Sequence, residues 1–229
     1  MAGSEVAMAV LRRARPRTDG PTLVAVVLWR ALVVCCAWAG VLLSVVPVGW
    51  ESLRYFTVVS NLCAAVALTA ALLTPAVLRG ASETRWGVLR GAATTYLTIT
   101  LLVHATLLGG GYPTTGGLLT HLLTPLLVVA DWLLVGRNQH LPWWTPLAWL
   151  LLPVGYLVGY VAGGEALYAF LDPTARDFGD WVLVLTTAFL CTGYLWWGVG
   201  RLRALRWPPP AVAGDGRPAP VARSSTREE

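Results

Sequence analysis

Apolar residues in this chain come in long unbroken runs. They show neither the two-residue alternation of a half-buried strand nor the one-sided spacing of a surface helix. Six runs cover residues 23–46, 53–78, 88–109, 118–135, 146–163 and 181–200. Each is long enough to cross a hydrocarbon layer of about 30 Å as a helix rising about 1.5 Å per residue. Membrane barrel strands are a poor match, since those run to about ten residues of alternating polarity. The pattern predicts an all-α, polytopic integral membrane bundle of six transmembrane helices over residues 23–200, between polar tails at 1–22 and 201–229. The run at 23–46 is too long for the core of a cleaved signal peptide and reads as a first span. The tails hold Pro16, Pro21 and Pro208-Pro209-Pro210, and read as extended or disordered.

Composition narrows the class. Apolar residues make up 56% of the chain and charged ones 13%, against about 25% charged in a soluble domain. A disordered chain, a coiled coil and an ordinary soluble enzyme are thereby excluded. All 17 basic residues are arginine, and fourteen of them fall in the two tails, in the connectors after the second and fourth runs and, as Arg90, at the start of the third run beside that connector. The opposite connectors hold only Arg54 and Arg176, and Arg30 lies inside the first run. By the positive-inside rule this predicts a multi-pass cell-membrane protein with both termini cytoplasmic. The net charge of +5 then needs no nucleic-acid partner, because topology and anionic headgroups account for it. Membrane lipids are the expected partners, and the oligomeric state stays open. Cys35, Cys36, Cys63 and Cys191 have neither disulfide nor metal spacing and read as packing residues. No cofactor or metal set is called for.

Several features of the runs read as structural. Gly155, Gly159 and Gly163 form a stripe expected to pack against a neighbouring helix of the bundle, with a homodimer as the alternative. Tyr156 and Tyr160 need hydroxyl partners if they face inward. Trp143, Trp144, Trp181, Trp196, Trp197 and Trp207 lie near run ends and read as an interfacial belt. Arg30 is expected to snorkel to the cytoplasmic face, and Asp131 to pair with an arginine or cap a helix.

Strongly polar groups within the runs are the functional candidates, because each is costly in hydrocarbon. Thr57, His104 and His121 come from three different runs, yet each lies roughly 5–8 Å from the outer boundary. A threonine hydroxyl with a neutral imidazole as base is a nucleophile–base pair. Asn61, one helical turn from Thr57, could donate to a developing oxyanion or orient the hydroxyl. At that depth the natural substrate is the ester linkage of an amphiphile. His104 and His121 also allow a second reading, one haem ligated from both sides. A third reading is a non-enzymatic membrane protein: a transporter, a lipid-binding scaffold or a partner subunit. Asp172, in the connector after the fifth run, is expected to cap the sixth helix or to orient His121.

Three segments carry a family resemblance. They are Arg54-Tyr55-Phe56-Thr57-Val58-Val59-Ser60-Asn61-Leu62, then Thr120-His121-Leu122-Leu123-Thr124-Pro125 with Asp131-Trp132, and Tyr168-Ala169-Phe170-Leu171-Asp172-Pro173. Together they resemble the bacterial six-span "Pr-six-Pr" membrane proteins, which in turn resemble the eukaryotic androgen-induced family of integral-membrane threonine hydrolases. The likeness spans about residues 24–200. It implies six spans and hydrolysis of fatty acid esters of hydroxy fatty acids, with Thr57 as nucleophile and His121 as base. Thr57 stands four residues before Asn61 where the eukaryotic pattern has three, and His121 four before Pro125 where it has five. Each single-residue difference turns a helix by about 100°, which keeps Ser60 as an alternative hydroxyl.

Overall fold

The computed structural model describes residues 19–77, 87–135 and 141–206. Tail residues 1–18 and 207–229, Trp207 among them, lie outside the described residues, as do Arg79, Arg85 and Arg137; tail positions 20–22 and 201–206 are not extended but belong to the first and last helices. Six long helices follow one another: α1 Gly20–Val48, α2 Phe56–Val77, α3 Gly87–Leu107, α4 Thr115–Leu134, α5 Thr145–Gly163 and α6 Phe178–Arg206. Five of them are long and apolar enough to cross a membrane; α3 is not among the five. Leucines and valines face outward along the bundle, with Val46, Leu151 and Leu183 each more than 60% exposed. An apolar exterior of this kind is what lipid requires, and the all-helical membrane class follows from it.

The exception, α3, sits at the centre. It packs against α2, α4 and α6, and Gly91, Ala93, Thr94, Thr95 and Leu97 on it are buried. A helix wrapped by other helices need not be apolar outside. That is why α3 carries Arg90, Tyr96, His104 and five threonines. Gly91 lets the bundle close here, since a Cβ at this position would overlap the ring of Trp149.

Prolines inside helices set the polar framework. A proline has no N–H, so the carbonyl four residues earlier loses its donor. Pro75 in α2 frees Ala71 O, which accepts from Arg30 Nη1 of α1 at 3.1 Å. Pro153 in α5 frees Trp149 O, which accepts from the Tyr96 hydroxyl of α3 at 2.7 Å. In α4 the turn Leu119–Leu123 is a π-helical turn, with Thr124 N donating to Leu119 O five residues back. Pro125 would be the π-register donor to Thr120 O and cannot donate. That carbonyl accepts from Asn61 Nδ2 of α2 at 3.0 Å. At these three prolines a polar side chain from another helix fills the opened carbonyl; Pro47, near the end of α1, is not matched in this way among the described residues.

Arg30 consequently does not snorkel. It is fully buried, and its Nε lies 3.7 Å from Asp131 Oδ1. Asp131 also accepts from Arg90 Nε at 2.9 Å, so α1, α3 and α4 meet in a buried ionic cluster. Arg90 sits over the Trp132 ring at 5.7 Å and donates to Val135 O at the end of α4. The arginine distribution expects Arg90 on the cytoplasmic side between the second and third runs, and it is instead buried within the bundle.

Two more expectations are corrected. Gly155 and Gly159 have nothing within 4 Å of a Cβ position, so the glycine stripe faces outward and does not pack within the bundle. The bundle approaches α5 through Tyr156, Tyr160 and Trp149 instead, which occupy its other face. Trp196 and Trp197 are not belt residues: their indole N–H groups donate to Thr98 Oγ1 and Leu141 O. Trp143 and Trp144 are exposed, as a belt would have them.

The freed-carbonyl account makes a measurable prediction. Tyr96→Phe should lower stability in detergent by about 1–2 kcal/mol, the penalty of leaving a buried acceptor unpaired. In a Pro153→Ala background, where residue 153 regains an N–H, the same substitution should lose at least about half of that penalty. Equal losses in both backgrounds, read by thermal unfolding, would show that Trp149 O was never dependent on Tyr96.

Candidate functional site

The first turn of α2 begins the site. Gly49, with φ at 81°, ends α1 in a conformation that side chains rarely adopt. The short 3₁₀ turn Trp50–Arg54 then reverses the chain. Phe56 N donates to the hydroxyls of Tyr156 and Tyr168, at 3.1 and 3.0 Å, and Tyr156 in turn donates to Arg54 O at 2.7 Å. Two tyrosines from beyond residue 150 therefore fix where α2 starts.

Thr57 is the second residue of that helix, and its position decides the state of its hydroxyl. Threonines deep in a helix bond their own i−4 carbonyl, as Thr69, Thr74, Thr94, Thr95, Thr98 and Thr106 do here. Four residues before Thr57 lies Leu53, in the 3₁₀ turn, so no helical carbonyl stands behind it. Its hydroxyl makes no hydrogen bond to any described residue.

Thr57 lies on the wall of two cavities. One is a chamber of about 750 Å³ bounded by α1, α2, α3 and α4, mostly apolar, with the polar groups of Tyr55, His104, Thr120, His121 and Tyr168 on its wall. The other is an apolar crevice of about 100 Å³ between α2, α3, α5 and α6, walled by Phe56, Ile99, Leu157, Val182 and Phe189. Thr57, Leu108 and Tyr168 belong to both. The loop between α5 and α6 closes over this junction. Tyr168 reaches both cavities, and an ion pair of 2.7 Å between Glu165 and Arg54 fastens the loop to the 3₁₀ turn.

His121 comes from the π-helical turn of α4. The turn inserts one residue into the helix, and the Gly40 face of α1 packs against it, with Thr120 Cγ2 at 3.0 Å from a Cβ position. The His121 ring stacks on that of His104, centroids 3.9 Å apart and planes 20° apart. His104 Nε2–H donates to Gly111 O at 3.0 Å, which anchors the α3–α4 loop. His121 Nδ1 is buried with no partner, leaving Nε2 as the ring nitrogen open to the chamber. Face-to-face rings direct their nitrogen lone pairs side by side, within parallel planes. This arrangement does not hold one haem iron from both sides.

The structure thus gathers Thr57, His104 and His121 around one chamber and sets the other candidates apart. Ser60 is fully buried, bonded to Thr57 O at 3.0 Å and Thr100 Oγ1 at 3.0 Å, and does not line the chamber. Asn61 commits both amide hydrogens, to Thr57 O at 2.8 Å and to Thr120 O, so it has no donor for an oxyanion. A flipped amide would set its oxygen against two carbonyls, which fixes the orientation. Asp172 neither caps α6 nor meets His121. It accepts from the backbone N–H and hydroxyl of Thr174, both at 2.8 Å, and these bonds hold its carboxyl below the usual carboxylate range.

Sequence reasoning missed Tyr168 as a chamber residue and the π turn. Pro125 after a polar Thr-His pair was the available signal for the second. No family model matches the chain, and neither a curated protein nor a solved structure matches it.

The two hydroxyls can be told apart by accessibility. With the native cysteines replaced by alanine, Thr57→Cys should react with a small water-soluble methanethiosulfonate reagent in detergent. Ser60→Cys should react at least about tenfold more slowly, because local opening must come first. The reverse order would place the chamber on the other face of α2.

Proposed function

We propose that this chain is a six-span membrane protein, both termini cytoplasmic, that cleaves an acyl ester of an amphiphile at the extracytoplasmic headgroup level. Thr57 is the nucleophile and His121 the base. The observation that carries the reading is the unbonded Thr57 hydroxyl at the junction of a chamber bearing hydroxyls and imidazoles, which His121 also lines, and an apolar crevice. An ester-linked lipid presents that combination, with a polar linkage at the junction and a chain beside it.

The chemistry divides among few groups. His121 Nε2 takes the proton as the Thr57 oxygen attacks the ester carbonyl, and an acyl-threonine forms. The alcohol leaves with that proton, and water entering through the chamber releases the acid. Asn61 holds α2 against α4 and keeps nucleophile and base on one chamber. The donor to the developing oxyanion falls to Thr57 N, the first-turn amide of α2 not already bonded to a tyrosine hydroxyl or to Tyr55 O, at the positive end of the helix. His104, stacked on His121 and pinned by Gly111 O, orients the base. The resemblance to the Pr-six-Pr and androgen-induced proteins supports the same pair.

A non-enzymatic lipid-binding role shares the cavities and differs in one outcome. Purified protein should label with a fluorophosphonate probe. Thr57→Ala and His121→Ala should each cut labelling by about a hundredfold or more, with unchanged helical circular dichroism. Ser60→Ala should keep most of it. Undiminished labelling of both Thr57→Ala and His121→Ala, or none in the parent protein, would leave the binding role in its place.

A further inference from the structure

The chamber has a chemical bias set by what its own hydroxyls already do. Ser44 Oγ donates to Gly40 O at 2.8 Å, Ser52 Oγ to Gly49 O at 2.9 Å, and Thr120 Oγ1 to Gly116 O at 2.9 Å. All three side chains lie on the chamber wall. A hydroxyl has one hydrogen and two lone pairs, so each of these offers a ligand only acceptors. His104 Nε2–H is likewise committed, to Gly111 O. Tyr55, Thr57, Thr114 and Thr115 on the same wall donate to no described residue, so the wall offers hydrogens as well as lone pairs, the two-way bonding that a polyol headgroup makes.

Charge points the same way. No arginine, aspartate or glutamate is among the residues that line the chamber. The nearest rim cation, Arg54, is engaged by Glu165 at 2.7 Å and by Glu51 at 3.5 Å. The neighbouring loop adds Asp172 and Asp177. Phosphate and carboxylate heads are recognised by donors and cations, bidentate arginine above all. In this chamber they would be desolvated with no cation to pair with, which is unfavourable. A neutral headgroup whose O–H groups both donate and accept fits. The chamber volume of about 750 Å³ lies within the usual range for small-molecule sites. The crevice joined to it at Thr57, Leu108 and Tyr168 is lined by aliphatic and aromatic side chains, and Val154 at its edge is half exposed. That shape takes one chain entering from the side.

We infer that chamber and crevice together bind a neutral single-chain amphiphile with a hydroxylated headgroup, of which a monoacylglycerol is the simplest ester. The inference names the ligand class of the site proposed above, and it rests on that reading only for the cleavage of the ester. It sets this chamber apart from one built for an ester that carries a free carboxylate.

Binding can be measured without any bond to cleave. The full chain in detergent micelles is equilibrated with 1-O-hexadecylglycerol, an ether, and lipid retention is read by native mass spectrometry. Hexadecanoate at pH 8, hexadecylphosphocholine and hexadecane are run in parallel. The alkylglycerol should be retained at least about tenfold better than each of the other three. Leu108→Trp, which narrows the junction, should abolish the difference while circular dichroism stays unchanged. Ser44→Lys, which puts a cation on the wall, should shift preference toward hexadecanoate. Equal or better retention of hexadecanoate or hexadecylphosphocholine by the parent protein overturns the inference. So does equal retention of hexadecane, which would mean that only the chain is read. Selective retention in a protein that never labels with fluorophosphonate keeps this inference and removes the hydrolase. Labelling without selectivity does the opposite.

Discussion

The bundle depends on backbone carbonyls that prolines leave open. In a hydrocarbon layer no water is present to satisfy a freed carbonyl, so another protein group must donate to it. Pro75, Pro125 and Pro153 open Ala71 O, Thr120 O and Trp149 O, and Arg30, Asn61 and Tyr96 fill them. Each filling joins two helices: α1 to α2, α2 to α4, α3 to α5. Lipid tails are as apolar as leucine, so burial of leucine between helices gives little drive for association there. Directed hydrogen bonds and close packing at small residues such as Gly91 and Gly40 must do what a hydrophobic core does in water.

The same constraint shapes the candidate site. The π-helical turn at Leu119–Leu123 ends against Pro125, and the extra residue rotates everything before it relative to the rest of α4. His121 lies in that turn and faces the chamber. Asn61 closes the open Thr120 carbonyl with one hydrogen and holds Thr57 O with the other, so a single amide ties the turn that bears His121 to the turn that bears Thr57. Tyr156 and Tyr168 stop α2 at Phe56, and that boundary is what denies Thr57 an i−4 carbonyl. The free hydroxyl is therefore a consequence of where the helix begins.

Much of this was legible in the chain, and the failures share one cause. Run length gave the helices to within a few residues: 23–46 became Gly20–Val48, and 146–163 became Thr145–Gly163. Depth was legible too, since it needs only a residue count, and Thr57, His104 and His121 do meet on one chamber. Rotation about each helix axis was not legible. Arg30 and Arg90 could equally have reached for headgroups, and instead turn inward to Asp131. Gly155 and Gly159 could have faced the bundle, and face away from it. Trp196 and Trp197 turn in where Trp143 and Trp144 turn out. Hydropathy sums treat a threonine against lipid and a threonine against a helix alike, which is why the most enclosed helix, α3, has the weakest apolar signal.

A polar residue within a membrane bundle invites a functional reading by default, and this bundle shows how to discount it. The first question is which backbone group the residue completes. Asn61, Arg30 and Tyr96 answer to proline-freed carbonyls, and Ser60 to a neighbouring threonine; their polarity is accounted for by the fold. Asn61 Oδ1 and Thr124 Oγ1 are buried without partners, but both belong to residues sealed from the chamber. After that subtraction, the Thr57 hydroxyl and the His121 ring remain open to the chamber, beside the unbonded hydroxyls of Tyr55 and Thr115 on its wall and of Thr186 on the crevice. An unsatisfied group is costly in lipid, so these groups are held for something that enters from outside. The hydroxyls around them offer both hydrogens and lone pairs but no charge, which a neutral hydroxylated molecule matches.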